Sequence, residues 1–319
     1  MATAPVFVVD SLNGARAGGA FGLDGPEGRH AVAVRRLRAG EGIVLTDGAG
    51  TGVAGTVAAI EDRDRLSVAV DRVWHEPPPR PWLTVVQALP KGDRGELAVE
   101  TMTETGVDAI VPWSAARCVT QWRGERGARA LGRWRATARE AGKQARRVRF
   151  PRVTDAHTTA QLVRALTAPT PPFGAAWPDR GPTVTDAPAF APHTSPERPA
   201  ASADATPGRP GTADAASARP GTGDAASSRA ETAVASPGPA GKAFVLHEAA
   251  TEPLATAPLP AEGGITLIVG PEGGVTDEEL AAFTEAGARP FRLGPTVLRT
   301  STAGTAAAAV ILSRTGRWN

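Results

Sequence analysis

The stretch from Ile265 to Leu312 constrains the fold of this chain more than any other. Ile265-Thr266-Leu267-Ile268-Val269 is a short apolar run with β-branched residues, which predicts a buried strand. Gly270-Pro271-Glu272-Gly273-Gly274 stops that strand. Thr276, with Glu279 three residues on, is a capping-box pattern that opens a helix through Leu280 and Phe283, and Gly287 can end it. The loop therefore lies between the carboxyl end of a strand and the amino end of a helix. Open α/β sheets bind ligands at such places, and unpaired backbone N–H groups point outward there. The arrangement then repeats. Phe291-Arg292-Leu293 reads as a short strand, and Gly294-Pro295-Thr296-Val297-Leu298-Arg299-Thr300 leads into a helix from about Thr302 to Leu312, whose run Ala306 to Ala309 permits very close packing. A lone glycine cluster is most simply a tight connection. Two close together, the second bearing Leu298-Arg299-Thr300, point to a site.

Composition sets the outer limits. The 319 residues are 41% hydrophobic, and no apolar run exceeds the seven residues from Ala306 to Leu312, so the expectation is a soluble chain with room for two domains. Met1-Ala2-Thr3-Ala4-Pro5 has no basic n-region and Val6 to Val9 is too short for a signal segment, so the expected location is the cytoplasm, with no membrane partner. The single cysteine, Cys118, excludes an intrachain disulfide and any multi-cysteine metal site; a small buried apolar role is expected. The net charge is only +2, so a nucleic-acid partner has to be argued from where the arginines cluster.

The first 76 residues read as β-rich, with strands at Val6 to Val9, Ile43 to Thr46, Val53 to Ile60 and Leu66 to Val70, and a turn at Asp47-Gly48. Short strands in one small unit suggest a partly closed barrel. Between them, Glu27 to Arg38 is expected to be a helix with Val34 and Leu37 facing inward and Arg35, Arg36 and Arg38 clustered, as either a solvated basic face or an RNA contact. Pro77-Pro78-Pro79 is a stiff break that cannot belong to a central strand, and the domain boundary is placed there: residues 1–76, then 80–319. Trp82 to Leu89 reads as the first strand of the second domain, followed by Lys91, a helix from Arg94 to Thr105 ended by Gly106, and a strand at Ala109 to Pro112. Strands alternating with helices predict a largely parallel sheet.

From Arg123 to Arg152 there are eleven Arg or Lys against only Glu125 and Glu140. Leu131, Trp134, Ala138, Ala141 and Ala145 recur at three and four residues, which predicts an amphipathic helix with this stripe inward. A merely solvated helix would mix signs, so the near-absence of acids favours a polyanion partner. No aromatic platform is visible, which argues for backbone and shape contacts. Pro178 to Gly241 has no Leu, Ile, Met or Trp and nearly repeats itself, from Arg209 to Ser217 and again from Arg219 to Ser227. It reads as a disordered insertion within the second domain, before a strand at Ala243 to Leu246.

Val269 to Gly274 and Leu293 to Thr300 together resemble the signature of the knotted SPOUT methyltransferases. Within them the match is to the family that methylates uridine N3 in small-subunit ribosomal RNA. His30 to Glu41 resembles that family's amino-terminal PUA-like RNA-binding domain. Ala88 to Arg94, Glu104 to Arg117 and Glu140 to Pro151 resemble segments of its catalytic domain. The resemblance implies an α/β fold: an N-terminal PUA-like β-barrel and a C-terminal SPOUT domain with a deep trefoil knot, one of the rare exceptions to unknotted topology. It also implies a homodimer packed through the knotted region and 16S rRNA or the small ribosomal subunit as partner. The implied cofactor is S-adenosylmethionine, bound by Leu246, His247, Gly270, Pro271, Glu272, Gly273, Gly274, Leu293, Gly294, Val297, Leu298 and Thr300. Arg35, Arg36, Arg38, Lys91, Arg117, Gln144 and Arg147 are implied RNA contacts, and no metal is needed. Arg299, following the second glycine loop, is the candidate catalytic residue; the other reading of it is a helix-start arginine paired with a nearby carboxylate such as Glu272. The family usually carries a glutamate after Arg-Thr and often an arginine before the first strand's phenylalanine; this chain has Ser301 and Val6 there. Two other readings stay open, a knotted methyltransferase acting on a ribose or transfer RNA and a catalytically silent RNA-binding protein.

Overall fold

The structure, a computed structural model, describes residues 4–168 and 241–318. The disordered insertion expected at 178–241 lies outside the described residues except for Gly241. The chain first builds β1 (Val6–Val8), β2 (Ala20–Leu23), α1 (Gly25–Arg29), β3 (Gly42–Thr46), β4 (Thr51–Asp62) and β5 (Arg65–His75). These strands form a five-stranded sheet in the order β1-β3-β4-β5-β2, parallel between β1 and β3 and antiparallel elsewhere. Phe7, Leu23, Ile43, Leu45, Val53, Val57, Leu66 and Val68 alternate inward and make its core.

The helix expected over Glu27 to Arg38 is shorter. Pro26 lies in the first turn of α1, His30–Val34 widens into one π turn, and Arg36 ends it in the left-handed region at φ 54°. That early stop rotates the register. Ala31 is buried and Leu37 half-buried, whereas Val34, expected inside, is 67% exposed. Strand β2 escaped the sequence reading because Ala-Phe-Gly-Leu is too short and too glycine-interrupted to show alternation.

The second part contains β6 (Trp82–Ala88), α2 (Arg94–Thr105), β7 (Ala109–Ser114), α3 (Gly124–Gln144), β8 (Arg152–Val153), β9 (His157–Thr158), α4 (Thr159–Leu166), β10 (Lys242–Leu246), β11 (Gly264–Val269), α5 (Asp277–Glu285), β12 (Arg289–Phe291) and α6 (Thr300–Arg314). Its seven-stranded sheet runs β12-β10-β11-β6-β7-β8, with β9 also on β7, and every pair is parallel. Every residue of β6 is buried, as expected for a central parallel strand with both faces covered. The last strand is Arg289–Phe291, two residues before its expected place, because Phe291 is the residue that fits under the sheet against Phe244, edge to face with ring centroids 5.1 Å apart. Helix α6 starts at Thr300, two residues before Thr302, since the Arg299 carbonyl accepts from both the Thr302 and Ala303 N–H groups.

The stripe on α3 faces inward at Trp134, Ala138 and Ala141. The end of α3 also reaches the first sheet. Lys143, nearly buried, lies 2.8 Å from the Glu27 carboxylate, and Val148 accepts hydrogen bonds from the Thr46 hydroxyl and the Gly50 N–H. Among the described residues no helix is long and apolar enough to cross a membrane.

Candidate functional site

Three loops at the carboxyl ends of β10, β11 and β12 enclose a cavity of about 750 Å³, within the usual size of small-ligand sites. Leu246 and His247 come from the first loop. Gly270, Pro271, Glu272, Gly273 and Gly274 come from the second, and Leu293, Gly294, Val297, Leu298, Arg299 and Thr300 from the third. The sequence-predicted cofactor and catalytic residues therefore all line one space. Arg117 reaches the same wall from the turn after β7.

The two glycine loops are held differently. Glu272 accepts the Lys91 N–H at 3.2 Å and lies 3.9 Å from Arg94, while the Gly273 carbonyl accepts from the Arg117 guanidinium at 3.0 Å. Gly274 sits at φ +75° and its N–H donates to the Pro271 carbonyl at 2.9 Å, a backbone state that suits glycine. The capping box of Thr276 and Glu279 is formed in both directions. In the other loop, no hydrogen bond within the described residues engages the backbone from Leu293 to Leu298. Val297 is 81% exposed there. Unpaired N–H and C=O groups along a cavity wall are a supply of donors and acceptors for a bound molecule.

Arg299 is exposed at the cavity mouth and its side chain has no hydrogen bond or ion pair among the described residues. It does not pair with Glu272. Ser301, by contrast, is buried at the first turn of α6. The cavity has further lining residues that sequence reasoning passed over, among them Glu248, Asp277, Arg292 and Thr296. Gln87 was missed as well. It is fully buried in β6, and its Nε2 donates to the Ala88 carbonyl at 3.1 Å and the Thr300 carbonyl at 3.3 Å, fastening the start of α6, while its Oε1 has no partner among the described residues. A lone glutamine inside Trp82 to Leu89 was the available signal.

The proposed RNA contacts separate into two groups. Arg35, Arg36, Arg38, Lys91, Arg117 and Gln144 are exposed. Arg147 is not: it donates to the Thr103 and Val107 carbonyls at 2.8 and 2.9 Å, lies 3.8 Å from Asp108, and burial pushes its pKa down to about 10. We correct its role to a structural one, because a guanidinium committed to interior carbonyls is not available to a phosphate. Cys118 is buried with its Sγ 3.7 Å from the Trp113 carbonyl, and burial pushes the thiol pKa up, which keeps it protonated and unreactive. Among the described residues no group of three or more His, Cys, Asp or Glu is placed to hold a metal ion.

A family model described as an RNA methyltransferase domain matches residues 76–178 and 226–312, and one described as an RNA methyltransferase PUA domain matches residues 23–71. Ribosomal RNA small subunit methyltransferase E of Mycobacterium bovis is 38% identical over 316 residues, covering 99% of this chain and 94% of that protein; the Mycobacterium tuberculosis protein of the same name matches equally. The chain belongs to the ribosomal RNA small subunit methyltransferase E family. A crystal structure of a family member from Neisseria gonorrhoeae, bound to S-adenosyl methionine, aligns with a TM-score of 0.66 at 22% identity over 98% of both chains. At that identity the likeness speaks for the fold. Within this family fold, the cavity lies where the two glycine loops meet.

Proposed function

We propose that this protein transfers a methyl group from S-adenosylmethionine to N3 of a uridine in 16S rRNA. The observation that carries the reading is the convergence of both glycine loops, Arg299 and Arg117 on one cavity in a chain of the ribosomal RNA small subunit methyltransferase E family.

The residues present fit the cofactor. Leu246, Val269, Leu293 and Ala303 offer apolar surface, and the uncommitted backbone of Leu293 to Leu298 offers donors and acceptors suited to the edge of an adenine. When bound, the cofactor supplies a methyl already activated by a positive sulfonium. The protein's part is then to orient and to complement charge. Loss of the N3 proton leaves negative charge on the flanking uracil carbonyl oxygens, and the unpaired Arg299 guanidinium at the mouth donates to that charge as it develops. Lys91 and Arg117 hold backbone phosphates on the same rim, and Arg35, Arg36 and Arg38 contact RNA farther along.

In the same reading, residues 1–76 form a PUA-like RNA-binding domain whose five-stranded sheet closes into a partial barrel. Residues 80–319 form the methyltransferase domain, with a deep trefoil knot around the cofactor loops. The protein works as a homodimer through the knotted region, in the cytoplasm. The test is to incubate purified protein with labelled S-adenosylmethionine and small-subunit rRNA from a strain lacking it, then digest to nucleosides. The expected product is 3-methyluridine. Label in a 2′-O-methylated nucleoside, or cofactor binding with no transfer, overturns the assignment.

A further inference from the structure

Glu279 does more than cap a helix. Its reciprocal bonds with Thr276, at 3.1 and 3.2 Å, use only Oε2 and the Glu279 N–H. The other oxygen, Oε1, accepts the Ala116 N–H at 2.8 Å and the Thr159 hydroxyl at 2.9 Å, and the Thr159 oxygen itself accepts the Trp113 indole N–H at 3.1 Å. The residue is only 5% exposed, and no Lys, Arg or His forms an ion pair with it among the described residues. Burying a carboxylate without a cation is costly, and every bond it accepts must offset that cost. A cap alone needs one oxygen near the surface. The second oxygen joins the turn after β7 to the starts of α4 and α5.

That turn carries Arg117. Ala115 to Cys118 is closed by a hydrogen bond from the Cys118 N–H to the Ala115 carbonyl at 3.1 Å, so Ala116 and Arg117 are its two central residues. The Arg117 stem passes so close to the glycine loop that a Cβ on Gly273 would lie 3.0 Å from the Arg117 Cβ, and its Nη1 holds the Gly273 carbonyl. We propose that Glu279 is a positioning residue for the methyl-transfer site: by holding the Ala116 N–H it sets the turn, and the turn lays Arg117 across Gly273 and Gly274. One guanidinium donor then fixes the cofactor loop, and the others remain at the cavity rim for an RNA phosphate or a uracil carbonyl. The RNA end of this inference rests on the methyltransferase reading; the cofactor end does not.

Two readouts test it on the full-length protein: S-adenosylmethionine affinity by calorimetry without RNA, and kcat/KM for rRNA. Arg117→Ala is expected to weaken cofactor binding by about two- to tenfold, the scale of one net hydrogen bond, and to lower kcat/KM further. Ala116→Pro removes the N–H that Glu279 holds and sets the ring Cδ in its place, at a central turn position where proline is common. It is expected to reproduce the Arg117→Ala losses in both readouts, with a fall in melting temperature because the buried Glu279 carboxylate loses one of its donors. Glu279→Ala should match it, Glu279→Gln should restore function because one carbonyl oxygen still accepts, and Thr276→Ala, which removes the cap alone, should leave both readouts within about twofold of wild type. The Ala116→Pro/Arg117→Ala double variant should be no worse than Arg117→Ala. Losses that multiply in the double variant, or Thr276→Ala falling as far as Glu279→Ala, overturn the proposal. Should Glu279→Ala fail to fold, the Ala116→Pro cycle still decides. A wild-type protein that binds cofactor but leaves rRNA unmethylated would sink the functional reading while the calorimetric cycle still judges this one.

Discussion

The two glycine loops have similar sequences and opposite mechanical states. The first, Gly270 to Gly274, is fastened by the Lys91 N–H on Glu272, the Arg117 guanidinium on Gly273 and its own bond from the Gly274 N–H to the Pro271 carbonyl. The second, Leu293 to Leu298, makes no backbone bond among the described residues, and the helix it feeds has no side-chain cap. One wall is built before anything binds. The other has its polar groups in reserve, so its order is expected to come from the ligand. Arg299 stands at the end of the reserve wall, lining the cavity and without an ion pair among the described residues.

The largest expected effect tests the reserve wall. Arg299→Ala should lower the methylation rate by about a hundredfold or more, the scale of losing one oriented charge donor, with cofactor affinity and melting temperature little changed. Lysine should restore only part, because it keeps the charge and loses the planar fork. Single-turnover kinetics separate this from a binding defect. Near-normal turnover, or a protein that unfolds, would make Arg299 structural.

The next effect tests the fastened wall. Gly273 has no positive φ, so its need for glycine is one of space: an added Cβ meets the Arg117 stem at 3.0 Å. Alanine asks Arg117 to shift by a few tenths of an ångström, whereas the branches of valine leave it nowhere to stay. Gly273→Val should therefore weaken S-adenosylmethionine binding by more than about tenfold, with native circular dichroism, and Gly273→Ala should cost far less. Equal, unchanged affinities in calorimetry would remove this loop from the site.

These two loops also show where sequence was informative. Strand, glycine loop and capping box at 265–287 are local features, written in periodicity and in Thr276 and Glu279, and they stand where expected. The alternation of strands and helices after Trp82 likewise foretold a parallel sheet. What failed depended on distant partners. Val34 was placed inside because its spacing is helical, but the left-handed Arg36 ends the helix early and turns Val34 outward. The resemblance implies Arg147 as an RNA contact, yet the carbonyls that claim it come from Thr103 and Val107, some forty residues away in the chain. The second duty of Glu279 was equally invisible, because Ala116 and Thr159 lie more than a hundred residues from it in sequence.

The smallest effect separates the two walls by stability. Thr276→Ala removes the hydroxyl that accepts the Glu279 N–H at 3.1 Å, and losing such a cap costs about 1 kcal/mol. In a folded unit of this size that is a fall of about 2–4 °C in melting temperature. Because the first loop is fastened before anything binds, the whole fall should appear in the ligand-free protein. Saturating S-adenosylmethionine should then raise the melting temperatures of wild type and Thr276→Ala by the same increment, since binding free energy adds to each alike when affinity is unchanged. A gap between the two proteins that closes when cofactor is added would mean that the cofactor, not the cap, organises the first loop. The contrast between a prebuilt and a reserve wall would then be lost.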